Sequence, residues 1–118
     1  MAESPREILR ELSAGAREVG ELYGEQLQAF AKFSESLYKP MKLDTKTKEL
    51  IAVAVATYTT CEYCIVSHVY KAINAGATPE EIIEAALVSV NFGGGPAYTH
   101  AITLVKDAVK EFAPKDQK

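Results

Sequence analysis

Apolar residues along the chain recur in steps of three and four rather than two, a rhythm that predicts helices and gives little signal for strands. Ser4-Pro5-Arg6-Glu7 sets a hydroxyl cap, a proline in the first helical position and a glutamate three places after the cap. That is the pattern of a capping box, and it predicts a short helix to about Leu12. Ser13-Ala14-Gly15 is expected to loosen it. From Arg17 to Tyr38, Val19, Leu22, Tyr23, Leu27, Phe30, Phe33 and Leu37 return to one face, which predicts an amphipathic helix of about six turns. Lys39-Pro40 ends it, because the residue before a proline is pushed out of the α region.

Asp44 is the expected N-cap of the next helix, Thr45 to about Tyr58. Leu50, Ile51, Val53, Ala54 and Val55 leave this helix few polar positions, so burial on most sides is expected, although Val and Ile also suit strands. Tyr58-Thr59-Thr60 forms a short break. A further helix runs from about Cys61 to Ala75 and stops at Gly76, a natural residue for a left-handed helix end. Thr78-Pro79-Glu80-Glu81 repeats the capping-box pattern and opens a helix to about Val90. Gly93-Gly94-Gly95-Pro96 predicts a turn. Ala97, Ala101, Leu104, Val105, Ala108 and Phe112 then line one face of a last helix, and the polar tail from Pro114 to Lys118 is expected to fray. The chain is expected to be all-α, a compact bundle of five or six helices, with helices over 5–38 preceding the rest of a single domain over 1–118.

Composition narrows the function classes. The chain has 118 residues, 47% hydrophobic and 25% charged, enough for one soluble core without staples. Net charge is −3 with both signs interleaved, so there is no basic stripe for nucleic acid and no polybasic patch for a membrane surface. No apolar run approaches the roughly 20 residues that span a bilayer. Met1-Ala2-Glu3-Ser4-Pro5 lacks the charged-then-apolar pattern of a signal peptide, so a cytoplasmic location is expected. In a reducing compartment two cysteines do not usually form a permanent structural staple.

Their spacing is therefore informative. Cys61-Glu62-Tyr63-Cys64 is a C-x-x-C motif, and His68 follows Cys64 by four positions. Steps of three and seven residues return nearly to one helix face, so Cys61, Cys64 and His68 share a stripe. The pair opens its helix, where unpaired N–H groups and the helix dipole favour a thiolate, at Cys61 most of all. Either thiol can attack a substrate while the other resolves the product. Glu49 precedes Cys61 by twelve positions on a mostly apolar helix. Antiparallel packing across the 58–60 break can set it beside His68, where a carboxylate would fix the imidazole tautomer and support proton removal from a cysteine. The same four residues are also a conceivable zinc set, although a structural zinc site usually draws on a second cysteine pair that this chain lacks. Two inert buried thiols are the plainest alternative, and a lone Glu49 would be an ordinary solvated residue. His100 is read as a packing or surface residue, and the glycine run lacks the lysine of a phosphate-binding loop.

Glu49, Cys61-x-x-Cys64 and His68 at these spacings resemble the alkylhydroperoxidase D-like, carboxymuconolactone decarboxylase family. Ala75-Gly76-Ala77-Thr78-Pro79-Glu80-Glu81 and Gly93-Gly94-Gly95-Pro96-Ala97 resemble it too, and the likeness covers about residues 40–110. The resemblance implies an all-helical protomer that assembles into trimers or hexamers. It also implies that Glu49, through His68, deprotonates Cys64, that Cys64 attacks a hydroperoxide, and that Cys61 closes the disulfide. The implied partner is a thiol reductant, a lipoylated or thioredoxin-like protein, with no metal, flavin or haem cofactor. Tyr63 stands where peroxidases of this family carry another histidine, and the chain is a single unit rather than two lobes. A lactone decarboxylase is the second function within the family, one whose chemistry uses no dithiol. A zinc-bound or redox-sensing interaction module is the non-enzymatic alternative.

Overall fold

The computed structural model describes residues 3–117, and among these the regular structure is helical throughout. Six α-helices follow one another: α1 Pro5–Leu37, α2 Thr45–Thr59, α3 Glu62–Asn74, α4 Pro79–Val88, α5 Val90–His100 and α6 Lys106–Phe112. One π-helical stretch, Ala101–Val105, joins α5 to α6, and Lys115–Gln117 form a 3₁₀ turn in the tail expected to fray, whose last residue, Lys118, lies outside the described residues. Both capping boxes form: Ser4 with Glu7 opens α1, and Thr78 with Glu81 opens α4. Gly76 takes its left-handed conformation at φ 97° beyond the end of α3.

The core lies where α2 and α3 pack against each other and against α4 and the α5–α6 run. Val53 on α2, Ile65 and Val69 on α3, Ile82 on α4 and Val105 before α6 are completely covered. The small residues Ala72, Ala86, Ala101 and Ala108 let these helices approach closely. The β-branched content of α2 did not divert it to a strand, since one side of Val53 and Ala56 meets α3 and propensity yields to packing.

Three local expectations need correction. The helix does not break at Ser13-Ala14-Gly15. It continues through, since one interior glycine costs only about 1 kcal/mol, and kinks instead at Tyr23 (φ −130°, ψ 46°), next to Gly24. The glycine run is not an open turn. The chain stays helical on both sides of Gly94, whose φ of 63° and ψ of −141° suit a residue without Cβ, and Pro96 falls in the first turn after this break, where no N–H partner is needed. The outer face of α2 is not buried either: Ile51, Val55 and Tyr58 are each about half exposed, because α3, α4 and α5 cover only its inner sides.

α1 departs furthest from a core helix. Only Pro5 and Ile8 are buried along its 33 residues. The predicted apolar face exists, but Leu22, Tyr23, Phe30 and Phe33 all point into solvent. Both ends of the helix return to the body. Arg6 pairs with Glu111 at 3.2 Å and lies over the Phe112 ring, and the Tyr63 hydroxyl donates to Glu11. At the other end Tyr38 meets His68. The radius of gyration, 14.4 Å, exceeds the roughly 13.5 Å of a compact chain of this length, as the displayed middle of α1 requires.

Candidate active site

The site is assembled by the α2–α3 hairpin. Asp44 caps α2 by accepting from the Thr47 N–H at 2.8 Å, and the hydrogen bonds from Thr47 hold its carboxyl below the usual aspartate range. From this start, Glu49 falls on the face turned toward α3. At the far end Thr60 adopts a left-handed conformation (φ 54°), uncommon for a residue with a Cβ, and the chain reverses within one residue. Cys61 follows directly as N-cap of α3, and its sulfur accepts from the Cys64 N–H at 3.2 Å. The reversal makes α2 and α3 antiparallel neighbours, so Glu49 and His68 meet across nineteen positions of sequence.

Glu49 is a buried carboxylate, 4% exposed, and its Oε1 lies 2.7 Å from His68 Nδ1. With Glu49 ionised, Nδ1 carries the hydrogen and donates it, which leaves Nε2 as the lone-pair nitrogen. The Tyr38 ring lies against the imidazole, with centroids 5.5 Å apart and planes inclined by 31°. Burial, and next the Glu49 charge, push the Tyr38 phenol up from its ordinary pKa, so it stays neutral through the working pH range. Cys61 and Cys64 are joined as a disulfide across a Cα–Cα distance of 5.2 Å.

Two cavities flank this arrangement. Cys64 and His68 line a cleft of ≈ 270 Å³, walled by Ile51, Val55 and Thr59 of α2. Glu49 lines a larger one of ≈ 670 Å³, on the side of Phe30, Lys39 and Lys71, and Tyr38 borders both. The four residues singled out from sequence are thus close in space, but Glu49 stands behind His68 rather than in the cleft with the sulfur. Among the described residues no group of three or more His, Cys, Asp or Glu is arranged to hold a metal ion. His100 lines neither cavity, and its Nδ1 donates to the Pro96 carbonyl at 2.8 Å.

Tyr38 and Lys48 are the site neighbours that sequence reasoning missed. Tyr38 marks a helix end in the sequence, and Lys48 belongs to no motif there. Lys48 in fact donates to the Leu37 and Lys39 carbonyls at 2.9 and 2.8 Å, and Thr45 Oγ1 donates to the Tyr38 carbonyl at 2.8 Å. A lysine one turn into a helix, just after a proline-broken helix end, was the available signal.

This helical hairpin, with a cysteine pair opening its second helix and a histidine one turn on, defines the class. Residues 25–107 match the carboxymuconolactone decarboxylase family, and the chain belongs to that family. A protein of the cox locus of Paracoccus denitrificans is 47% identical over 73 residues, 62% of this chain and 66% of that one, just under two thirds of its length. A carboxymuconolactone decarboxylase family protein from Legionella pneumophila has a similar solved structure, with a TM-score of 0.87, 30% identity and coverage of 93% of this chain and 97% of that one. A family member from Thermotoga maritima, with a suggested part in antioxidative response, superposes with a TM-score of 0.68 at 28% identity, over 85% of this chain and 91% of that one.

Proposed function

We propose that the protein is a thiol-dependent peroxidase or disulfide oxidoreductase of the alkylhydroperoxidase D type, working through Cys64 and Cys61. One observation carries this reading: Cys64 and His68 share a cleft while Glu49 holds the far nitrogen of His68 from a buried position. In the reduced protein, His68 Nε2 accepts the Cys64 proton, directly or through a water, and the resulting imidazolium lies against the Glu49 carboxylate. The Cys64 thiolate attacks the distal oxygen of a hydroperoxide. An S–O bond forms, the O–O bond breaks, and the alcohol leaves with the proton held by His68. Cys61 then displaces water from the sulfenic acid and closes the disulfide. A dithiol, lipoylated or on a thioredoxin-like protein, supplies two electrons and two protons to restore both thiols.

Cys64 is the attacking sulfur in this scheme because it lines the cleft with the base. Cys61 receives a backbone N–H and the helix dipole, which suits a resolving thiolate equally well. The suggested antioxidative role of the Thermotoga relative supports the same chemistry. Lactone decarboxylation needs no thiol pair, whereas a thiol pair opens the helix that carries His68.

The test is peroxide consumption with dihydrolipoamide or dithiothreitol as reductant. Turnover in wild type and none in Cys64→Ser is the expected result, and equal rates in the two would overturn the assignment. In a Cys61→Ser background, Glu49→Gln should move the pH dependence of Cys64 alkylation toward alkaline values. An unchanged profile would remove Glu49 from the mechanism.

The reading includes a homo-oligomer, a trimer or hexamer, formed through the displayed faces of α1 and α2. Leu22, Phe30 and Phe33 on α1 and Val55 and Tyr58 on α2 present more apolar surface than a soluble monomer of this size usually exposes. Light scattering behind a sizing column decides it, and a protomer mass at micromolar concentration would refute it.

A further inference from the structure

The thiol reading leaves one aromatic contact without a role. Tyr38 is the first residue past α1, thirty positions from His68, yet its ring rests on the imidazole. Among the described residues its hydroxyl takes part in no hydrogen bond that would explain its presence. What the structure does secure is its backbone. The Tyr38 N–H donates to Glu35 O at 3.2 Å, its carbonyl accepts from Thr45, and the carbonyls on either side accept from Lys48. Thr45 and Lys48 belong to α2, the helix that also carries Glu49. Three successive carbonyls are thereby fixed to the helix that presents the carboxylate, so the ring and Glu49 form one rigid frame around His68.

An imidazole held only through Nδ1 can still rotate out of that hydrogen bond, and once away from Glu49 its proton can sit on either nitrogen. A ring against its face opposes that rotation, and aromatic rings at this separation attract one another beyond area burial. The ring also borders both cavities, the one that Glu49 lines and the one that Cys64 lines.

We propose that Tyr38 is a positioning residue: clamped to α2 through its backbone, its ring holds the His68 imidazole so that one nitrogen faces Glu49 and the other faces the Cys64 cleft. This deepens the thiol-peroxidase reading and rests on it for its catalytic consequence, although the orientation itself stands apart from any activity. Glu49 bonds His68, Lys48 lines the same cleft as His68, and Lys39 and Lys71 line the cavity on the Glu49 side. None of them presents an aromatic face to the imidazole.

The experiment compares Tyr38→Phe, Tyr38→Leu and Tyr38→Ala, each as the full chain with both cysteines reduced. Two-bond nitrogen–proton NMR correlations report the tautomer of His68. Wild type and Tyr38→Phe should show a single tautomer protonated at Nδ1, because the hydroxyl is not used. Tyr38→Leu keeps bulk without an aromatic face and should show a mixture, as should Tyr38→Ala. In the Cys61→Ser background, alkylation of Cys64 at neutral pH should fall by about tenfold in the Leu and Ala variants, short of the roughly hundredfold that losing a positioned base costs. Recovery in the Phe variant separates positioning from proton transfer by the phenol.

A single Nδ1–H tautomer in the Leu variant, with wild-type alkylation, would overturn the proposal. Loss of the tautomer in the Phe variant would overturn it too, by making the hydroxyl the operative group. If Tyr38→Ala fails to fold, the Leu and Phe pair decides alone. Failure of the underlying reading looks different: Glu49→Gln would then leave alkylation unchanged, while the tautomer spectra would still report whether Tyr38 orients His68.

Discussion

Val53 on α2 and Ile65 on α3 are fully covered by their own chain, whereas Leu22 and Phe30 on α1 keep 79% and 72% of their surface exposed. Both regions carry helical apolar periodicity, and periodicity alone does not tell them apart. The difference is that α2 and α3 are tied by a one-residue reversal at Thr60, so each finds a partner at once. α1 is held only at its ends, by Arg6 with Glu111, by Glu11 with Tyr63, and by the Lys48 and Thr45 contacts beyond Leu37. Among the described residues, its middle has nothing of its own chain to lie on. An apolar stripe therefore states that a surface will be covered, and the connection lengths state whether the same chain can do the covering.

On the proposed reading the inner region carries the chemistry and the fold, and the outer helix carries the assembly. The largest effect should come from Cys64→Ser, which should reduce peroxide turnover to background and leave the oligomer mass unchanged. A loss of assembly in this variant would break the separation. Next, Ile65→Ala should cost about 2–5 kcal/mol in urea unfolding, the range for emptying a fully buried aliphatic site. The paired change Leu22→Glu with Phe30→Glu should convert the oligomer to smaller species by light scattering while helix content by circular dichroism is retained. Collapse of helix content together with the mass would show that α1 is not a separable region.

The smallest effect concerns pH. Hydrogen bonds from Ser4 to Glu7, from Thr47 to Asp44 and from Thr78 to Glu81 hold all three carboxyls below their ordinary values. A group depressed in the folded state contributes stability above its unfolded pKa and loses it as pH falls through the folded pKa. Stability should therefore decline on acidification below the ordinary carboxylate range. Asp44→Asn keeps an N-cap acceptor but does not titrate there, so its unfolding midpoint should depend less on pH in that range. A steeper dependence would contradict the assignment.

Much of this was legible in the sequence because its signals are local. Capping boxes, the Asp44 cap and Gly76 involve contacts within four residues, and they form where the pattern puts them. Glu49 beside His68 was legible one step further, since helix phase and a short reversal together constrain the meeting. Tyr38 was not, because its approach depends on where α1 ends in space, which no short-range pattern records. The kink at Tyr23 escaped for a related reason: Gly15, Gly20 and Gly24 all interrupt the helical pattern, and no short-range signal marks which one lies beside the bend.

The bond between Cys61 and Cys64 closes a loop with a sequence separation of only three residues. On a chain-entropy account so small a ring removes little freedom from the unfolded ensemble, about 2 kcal/mol against nearly 5 for a loop of a hundred residues. Both sulfurs also belong to the same helix start, so opening the ring frees no distant segment. Reduction should then lower the melting temperature by no more than about 8 °C, which thermal unfolding with and without reductant would measure. On the proposed redox cycle the α2–α3 hairpin would stand behind both covalent states, since opening so small a ring releases no segment beyond the start of α3.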